Sequence, residues 1–250
     1  MVETPARLVV LRPSPWSERA RWVLDHHHVE YERIEHTPFL GERRLRRLIG
    51  SGRRRATVPA LLLPDRALTE SWDIAMYAER HGKGTPLIPA ARVEEVRRYN
   101  ELADRTMEAG RALVTRALLA SPEAQLEVLP PEVPRRIRAW LVPLTRLGTR
   151  WFARKYSLDL DDAVSQVETV RRTLLALRAD LAKSSPYLLG TFSYADIVMA
   201  LLLQAISPVG NAYIRLGAAS RRCWSQPALA AEFADLIAWR DLLYERHRQP

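Results

Sequence analysis

The sequence predicts a small α/β domain followed by a larger all-α domain. Short apolar, strand-like runs alternate with a helical pattern over roughly the first 80 residues, and every long stretch beyond residue 90 has helical periodicity. Between them lies a segment rich in glycine and proline at residues 82–89. We therefore expect domains at residues 1–82 and 91–250, joined by a linker at residues 83–90.

The first domain is predicted to have the order β-α-β-β-β-α. Its strands should be short, because the apolar and β-branched runs span only a few residues between turn signals. Residues 64–66, Pro-Asp-Arg, provide the turn of a hairpin. The predicted strands are Leu8–Leu11, Val29–Ile34, Ala60–Leu63 and Ala67–Leu68, and the predicted helices are Pro15–His26 and Ser71–Glu79.

The second domain is predicted to consist of helices alone. A proline-rich connection at residues 121–134 interrupts the pattern after the first long helix. The predicted helices are Ala91–Ala120, Arg135–Tyr156, Asp159–Lys183, and two shorter ones that start at Ser193 and at about Pro227.

Composition excludes two broad classes of protein. Hydrophobic residues make up 47% of the 250 residues and charged residues 27%, which is typical of a globular chain and not of a disordered one. No apolar run approaches the roughly 20 residues that a helix needs to cross a bilayer. The first residues lack the features of a secretory signal, and the single cysteine, Cys223, excludes an intramolecular disulfide. We expect a soluble, cytoplasmic protein with no membrane partner.

The net charge of +9 raises the question of nucleic-acid binding, since a basic surface attracts polyanions. Arginine supplies nearly all of this charge along the whole chain, because Lys83, Lys155 and Lys183 are the only lysines. That spread favours a generally basic surface over a dedicated nucleic-acid face. A denser group of arginines lies between the second and third predicted strands, at residues 43–55.

Ser14 and Pro15 start the first predicted helix. A serine at the N-cap and a proline at the next position are a good helix start for local reasons alone. The same geometry places a hydroxyl beside unpaired amides and the positive end of the helix dipole, where an anion is stabilised. Both interpretations stay open on these residues alone.

Three further segments have a defined local chemistry. Pro59 precedes an apolar strand, where it suits a strand edge or a turn. Ser71 can cap the next helix, directly after Glu70. Ser193 and Asp196 have the spacing of a capping box, to which we assign a structural role.

Taken together, these motifs resemble the cytosolic glutathione transferases. Residues 5–82 resemble the thioredoxin-like domain of that family, through Ser14-Pro15-Trp16-Ser17, Val58-Pro59 and Glu70-Ser71. Residues 91–250 resemble its all-helical domain, in which the segment 187–197 supplies a fourth match. The resemblance implies the glutathione transferase fold, and the serine in the first motif resembles serine-type members of the tau, zeta and omega-like kind.

The resemblance also implies roles for individual residues. Ser14 would face the sulfur of glutathione, with Ser17 as the alternative. Val58, followed by Pro59, would pair its backbone with the cysteinyl part of the tripeptide. The γ-glutamyl end would lie at Glu70 and Ser71, and Arg55 would meet the glycyl carboxylate.

The implied activity is a glutathione transferase of the detoxification type, in which the glutathione thiolate attacks a hydrophobic electrophile. We expect Trp16, Tyr99, Met107 and Trp151 to line the electrophile pocket. Alternatives are another glutathione-dependent reaction, such as ether cleavage, dehalogenation or isomerisation, and a non-catalytic member that binds glutathione or another ligand. The resemblance further implies a homodimer.

No metal is expected. The three histidines at positions 26–28 are consecutive, and consecutive helical residues point about 100° apart, so they cannot converge on one ion. They suit the C-terminal end of a helix instead. For the lone Cys223 we expect a buried structural position.

Overall fold

The computed structural model describes residues 5–50, 55–129 and 133–249. Within these ranges, the first domain contains a mixed four-stranded sheet in the order β2-β1-β3-β4. Strand β1 pairs in parallel with β2 and antiparallel with β3, and β3 forms a hairpin with β4. The strands are β1 (Ala6–Val10), β2 (Tyr31–Glu35), β3 (Ala60–Leu62) and β4 (Ala67–Leu68).

Helices cover both faces of this sheet. Helices α1 (Pro15–His26) and α3 (Ser71–His81) share a core with Leu8 and Val10, while α2 (Glu42–Ile49) lies on the opposite face with Val9. This division follows from the alternation of side chains along a strand. Helix α2 was not predicted, because we interpreted its arginine-rich segment only as a charged, solvated stretch.

The described part of the second domain is helical. Three 3-10 turns, at Ala90–Arg92, Ala139–Leu141 and Leu203–Ala205, connect some of its helices. The α-helices are α4 (Val93–Ala120), α5 (Pro122–Glu127), α6 (Arg135–Arg138), α7 (Val142–Lys155), α8 (Ala163–Ser184), α9 (Tyr194–Leu202), α10 (Ala218–Cys223), α11 (Pro227–Glu232) and α12 (Ala234–His247).

Local sequence explains where the structure differs from the predicted helices. Helix α8 starts at Ala163, later than expected, because the Asp162 side chain accepts a hydrogen bond from the Ser165 amide and caps it there. The predicted helix over residues 135–156 is divided into α6, a 3-10 turn and α7. Helix α5 lies within the connection that we predicted to be irregular, and the Ser121 side chain caps it.

Helix α9 is buried along its whole length in the centre of the second domain. Ser193 and Asp196 form a capping box at its start. Asp196 also accepts a hydrogen bond from the Leu188 amide at 2.8 Å, so its carboxylate ties the preceding loop to the helix. Burial raises the pKa of Asp196 to about 6, although the hydrogen bonds to its carboxylate act in the opposite direction.

The end of the described chain packs against the first domain. Arg248 donates to Glu18 Oε1 at 2.8 Å and to Asp25 Oδ2 at 2.7 Å, both on α1. The Trp22 ring, also on α1, lies 4.5 Å from the Tyr244 ring of α12. These contacts fix α1, whose N-cap is Ser14, against the second domain.

Two further observations on the described residues concern the apolar character of the helices and the position of Cys223. None of their helices combines the length and apolar character required to cross a bilayer. Cys223 is buried, and burial raises the pKa of its thiol.

Candidate functional site

Sheet register brings the three first-domain motifs to one edge of the sheet. Val9 of β1 lies opposite Ala60 of β3, so the antiparallel pairing places Pro59 and Val58 beside the end of β1 that leads into Ser14. Strand β4 runs back along β3, with Leu68 opposite Leu61, and therefore delivers the Glu70 segment to the same edge. The Val58–Pro59 bond is cis.

Ser14 is the N-cap residue of α1. Its backbone is extended, and its Oγ accepts a hydrogen bond from the Ser17 amide at 3.4 Å. The side chain is half-buried, so it is not sealed inside the protein. A hydroxyl that accepts through its oxygen keeps its own proton, and Ser14 can therefore donate a hydrogen bond to a ligand.

Ser17 has a different position from Ser14. Its side chain is 1% exposed, and its Oγ accepts a hydrogen bond from the Leu11 amide at 3.1 Å. This bond closes the turn between β1 and α1. The structure therefore gives Ser17 a structural contact and leaves Ser14 as the more exposed of the two serines.

Glu70 and Ser71 begin α3. Glu70 occupies the N-cap position without a side-chain capping bond, so the prediction that Ser71 caps this helix is wrong. Ser71 is instead the first helical residue, and its buried hydroxyl accepts from Arg19 Nη1 at 3.1 Å. Partial burial raises the pKa of Glu70, and the carboxylates of Asp73 and Asp104 add to this.

Arg19 links this edge to the second domain. Its side chain is fully buried, and Nη1 lies 2.8 Å from Asn100 Oδ1 and 3.0 Å from Asp104 Oδ1, both on α4. Asp104 also accepts from the Trp16 indole at 2.9 Å and from the Asn100 amide at 3.0 Å. Both oxygens of this one carboxylate are therefore occupied at the domain junction.

A group of cations and aromatic rings lies beside Trp16 at the same junction. The Arg111 guanidinium of α4 lies 3.9 Å from the centroid of the Trp16 ring and 4.2 Å from that of Tyr156. Arg55 and Lys155 approach the Tyr156 ring at 5.8 and 5.5 Å. We call these five residues, Trp16, Arg55, Arg111, Lys155 and Tyr156, the cation–aromatic cluster.

Helix α7 contacts the first domain next to this cluster. Lys155 Nζ lies 2.7 Å from Glu42 Oε1 on α2, and His36 Nε2 lies 3.4 Å from the same oxygen. The Trp151 ring meets the Phe39 ring edge-on at 5.8 Å. Burial lowers the pKa of Lys155, while its pairing with Glu42 opposes that shift. Two helices of the second domain, α4 and α7, thus border the sheet edge that begins at Ser14.

Residues 13–81 match the family model of the glutathione S-transferase N-terminal domain. Together with the mixed sheet and the helical second half, this decides the architecture. The chain has the glutathione S-transferase fold. The predicted fold class, a thioredoxin-like domain followed by an all-α domain, is therefore confirmed.

Solved structures share this fold over nearly the whole chain. A glutathione S-transferase from Methylobacillus flagellatus with glutathione bound is 18% identical, with a TM-score of 0.61 over 97% of this chain and 96% of that one. A possible glutathione S-transferase from Rhodopseudomonas palustris is 17% identical, with a TM-score of 0.63 and coverage of 99% and 97%. Glutaredoxin 2 from Salmonella typhimurium, in complex with glutathione, is 18% identical with a TM-score of 0.55 over 96% of each chain. No curated protein sequence matches the chain.

The four residues predicted for the electrophile pocket do not all meet within this glutathione S-transferase fold. Trp16 belongs to the cation–aromatic cluster, and Trp151 lies beside Lys155, with the centroid of its ring 5.3 Å from Nζ. Met107 is buried against Arg19, with 3.9 Å between Sδ and Nη2. Tyr99 points elsewhere, because its hydroxyl donates to Asp180 on α8 at 3.1 Å.

The arginine-rich segment divides between helix and loop. Arg43, Arg44, Arg46 and Arg47 belong to α2, and Arg55 is an exposed residue of the cation–aromatic cluster. Arg53 and Arg54 lie outside the described residues.

The three histidines do not gather around one point. His26 bonds the Thr85 carbonyl at 2.9 Å, and His27 Nε2 lies 3.0 Å from Glu79 Oε2. Among the described residues, no three His, Cys, Asp or Glu side chains are grouped so that they could hold a metal ion.

Sequence reasoning missed several residues of the domain junction. Arg19 and Asp104 are 85 positions apart, and nothing local marks them as partners. Helical spacing could have identified Arg111. The residues that share its face of α4 recur every three or four positions: Asn100, Asp104, Met107 and Arg111. Tyr156 was placed at the end of a helix without any role.

Proposed function

We propose that the protein is a glutathione transferase in which the Ser14 hydroxyl stabilises the thiolate of bound glutathione. One observation carries this proposal: Ser14 is the half-buried N-cap of a 12-residue helix, at the sheet edge that also holds the Val58–Pro59 and Glu70–Ser71 segments. The match of residues 13–81 to the glutathione S-transferase N-terminal domain supports it.

The chemistry of this position suits a thiolate. The Ser14 hydroxyl can donate a hydrogen bond to an anionic sulfur, and the first amides of α1 together with the helix dipole add positive potential. Lowering a thiol pKa by about two units requires roughly 2.7 kcal/mol of preferential binding of the thiolate. A charge-assisted hydrogen bond and a helix terminus supply energies of that order. The ionised sulfur is then the nucleophile at neutral pH.

The rest of the tripeptide would lie along the same edge. Val58 forms no backbone hydrogen bond within the described residues, so its N–H and C=O are available to an extended peptide ligand. At Glu70, the neighbouring carboxylates create an excess of negative charge, which favours a cation such as the γ-glutamyl ammonium group. Arg55 would bind the glycyl carboxylate, and Ser71 would contact the γ-glutamyl end beside Arg19.

Serine at position 14 distinguishes this reaction from thiol exchange. A mixed disulfide with glutathione requires a sulfur on the protein, and Ser14 has none. The shared fold with a glutathione-binding glutaredoxin therefore does not carry that chemistry to this chain. Other reactions of a glutathione thiolate, including ether cleavage, dehalogenation and isomerisation, would use the same site, as would a non-catalytic glutathione-binding protein.

Replacing Ser14 tests the proposal. Ser14→Ala should raise the pKa of the bound glutathione thiol by about one to two units, because each unit corresponds to about 1.4 kcal/mol of lost thiolate stabilisation. At neutral pH, kcat/KM with a model electrophile should fall about 10- to 100-fold. The thiolate is followed by its ultraviolet absorbance as a function of pH, and glutathione binding by calorimetry.

Ser165→Ala is the matched control, because Ser165 is an exposed serine in the first turn of α8 and lies outside the site. It should leave both the thiol pKa and kcat/KM at wild-type values. An unchanged thiol pKa in Ser14→Ala would remove the assigned role of Ser14. Failure of the wild-type protein to bind glutathione at millimolar concentration would contradict the whole proposal. Light scattering would test the homodimer that the family resemblance implies.

A further inference from the structure

Arg111 is held in an unusual setting at the domain junction. Its guanidinium carbon lies over two aromatic rings, 3.9 Å from the centroid of Trp16 and 4.2 Å from that of Tyr156. Two cation–π contacts stabilise the charge but satisfy none of the N–H groups, so the N–H edge of the planar group still requires hydrogen-bond acceptors.

Among the described residues, this N–H edge has no protein partner. Arg111 forms no hydrogen bond to its side chain and no ion pair within the described residues. The nearest acidic groups do not supply one: Asp104 is already occupied by Trp16, Arg19 and Asn100, and Glu108 forms no ion pair with Arg111. The side chain is half-buried, and burial lowers the pKa of Arg111. A guanidinium in such a position favours an anionic partner, because its desolvation is otherwise uncompensated.

The cation–aromatic cluster has an excess of positive charge. Arg55, Arg111 and Lys155 surround the single Tyr156 ring at 5.8, 4.2 and 5.5 Å. One carboxylate in contact with them, Glu42, is paired with Lys155 and lies beside His36. Glu42 is paired with Lys155 and Asp104 with Arg19, so Arg55 and Arg111 are the cations of the cluster that form no ion pair among the described residues, and both attract anions.

We propose that Arg111 binds a carboxylate of the second substrate, so that this cleft prefers electrophiles that are anionic as well as apolar. A planar carboxylate matches the open edge of the guanidinium and can accept two parallel hydrogen bonds from it. Trp16 and Tyr156 would contact the apolar part next to that carboxylate. The inference rests on the proposed glutathione transferase function, since it names the class of electrophile that the thiolate attacks.

Conjugate addition to a carboxylate-bearing enone illustrates the reaction. The thiolate forms a C–S bond to the β-carbon of the enone, and the π electrons of the C=C bond move to the α-carbon, which takes a proton from water. No group leaves, and no redox partner is needed. The carboxylate bound to Arg111 does not take part in bond formation and serves to hold the electrophile in place.

Ethacrynate and its methyl ester, an acid and its neutral counterpart with the same enone, provide the test. In the wild-type protein, kcat/KM should be higher for the acid than for the ester. In Arg111→Met, this acid-to-ester ratio should fall about 10- to 100-fold, which corresponds to the roughly 1.5–3 kcal/mol of a hydrogen bond to a charged group. Arg111→Lys keeps the charge but loses the planar edge, so its ratio should lie between the two.

Arg116→Met is the matched control, because Arg116 is an exposed arginine on the same helix. Its acid-to-ester ratio should equal that of the wild-type protein. Thermal unfolding of each variant checks that it is folded. A ratio that is unchanged in Arg111→Met would overturn the inference.

Glutathione binding, measured separately by calorimetry, distinguishes the two proposals. If Arg111→Met weakens glutathione binding as much as it weakens the use of ethacrynate, Arg111 serves glutathione and the inference is wrong. If the wild-type protein binds no glutathione, the proposed function fails. Direct binding of ethacrynate and its methyl ester to the wild-type protein and to Arg111→Met would then test the anion site by itself. A preference for the acid that is lost in Arg111→Met supports the anion site. If the wild-type protein shows no such preference, the inference is wrong.

Discussion

Arg19 connects Ser71, which begins α3, to the helical domain. Its guanidinium is fully buried, and Asp104 is the carboxylate with which it forms an ion pair. Among the described residues, its Nε has no hydrogen-bond partner, so the Nη atoms make all the hydrogen bonds of this side chain. Because burying Arg19 costs desolvation, the pair with the partly exposed Asp104 adds little net stability, but the loss of Asp104 leaves an uncompensated buried charge.

Asp104→Ala should therefore destabilise the protein by about 3 kcal/mol, measured as the free energy of unfolding in urea. The mutation also removes the acceptor of the Trp16 indole. Asp65→Ala is the control, because the Asp65–Arg66 pair is exposed at both ends, and it should cost no more than about 0.5 kcal/mol. Arg19→Met combined with Asp104→Ala should recover part of the loss. If Asp104→Ala and Asp65→Ala lost the same free energy of unfolding, the assigned importance of the Arg19–Asp104 pair would be contradicted.

At this scale, sequence alone identifies the residues that belong to contiguous motifs. Ser14, Val58 and Glu70 could be proposed because each lies in a short pattern with its own local chemistry. Arg111 and Tyr156 could not be paired in that way, since their contact depends on how α4 and α7 pack against each other in the second domain. The roles of all these residues toward glutathione stay predictions.

Helix α2 shows why one element escaped prediction. Five of the eight residues in Glu42–Ile49 are charged, and Leu45 is the one apolar side chain of this helix that is fully buried. Such a helix gains its stability from packing on Val9 and Ala60 rather than from a broad apolar face, which a sequence pattern cannot show. Helix α1 was predicted with its observed bounds, because Ser14 and Pro15 mark its start and its apolar face is wide.

The start of α9 depends on the Asp196 carboxylate. It accepts hydrogen bonds from the Leu188 amide at 2.8 Å and from the Ser193 amide and hydroxyl at 2.9 and 2.8 Å. Asp196→Ala leaves two buried amides unsatisfied and should cost about 2–4 kcal/mol in the free energy of unfolding. Asp162→Ala, at the exposed start of α8, should cost about 1 kcal/mol. If urea unfolding gave similar losses of the free energy of unfolding for Asp196→Ala and Asp162→Ala, the larger contribution assigned to the buried capping box would be contradicted.

Among the contacts of the described residues that join the domains, two sets lie apart from the bonds of Arg19 and Trp16 to α4. One lies between α1 and the end of the chain, through Arg248 and Tyr244, and the other between α7 and the α2 region, through Trp151 and Lys155. Sequence reasoning predicted the order of an α/β and an all-α unit but neither set of contacts. Both join residues more than 100 positions apart, which no local pattern can report.

His247 lies at the first of these sets of contacts, where its carbonyl oxygen accepts a hydrogen bond from the Trp22 indole at 3.0 Å, and it makes stability depend on pH. Burial lowers the pKa of His247 below its ordinary 6.5, and His26 and Arg246 add to this. The unfolded chain then binds the proton more tightly than the folded one, so the stability contribution is fully present above pH 6.5 and is lost as the pH falls below it. His247→Gln should therefore lose less stability than the wild-type protein between about pH 7.5 and pH 5.5.

Urea unfolding at both pH values measures this difference, and the exposed His81→Gln serves as its control. The raised pKa of Asp196 has the opposite effect on stability, because the folded state binds that proton more tightly than the unfolded chain and gains stability as the pH falls toward 4. This effect is the same in the wild-type protein and in His247→Gln, so the difference between the two isolates His247. Equal pH dependence in His247→Gln and the wild-type protein would contradict the assignment.

The buried position of Cys223 has a consequence for self-inactivation. A reagent that reacts with the thiolate of glutathione also reacts with the thiolate of an accessible cysteine, so a protein that handled such reagents would be open to alkylation by its own substrates. Cys223 is the single cysteine of the chain, its side chain is enclosed by Ala124 and Ala219, and burial disfavours its ionised form. The folded protein thus offers an electrophile no reactive thiol of its own.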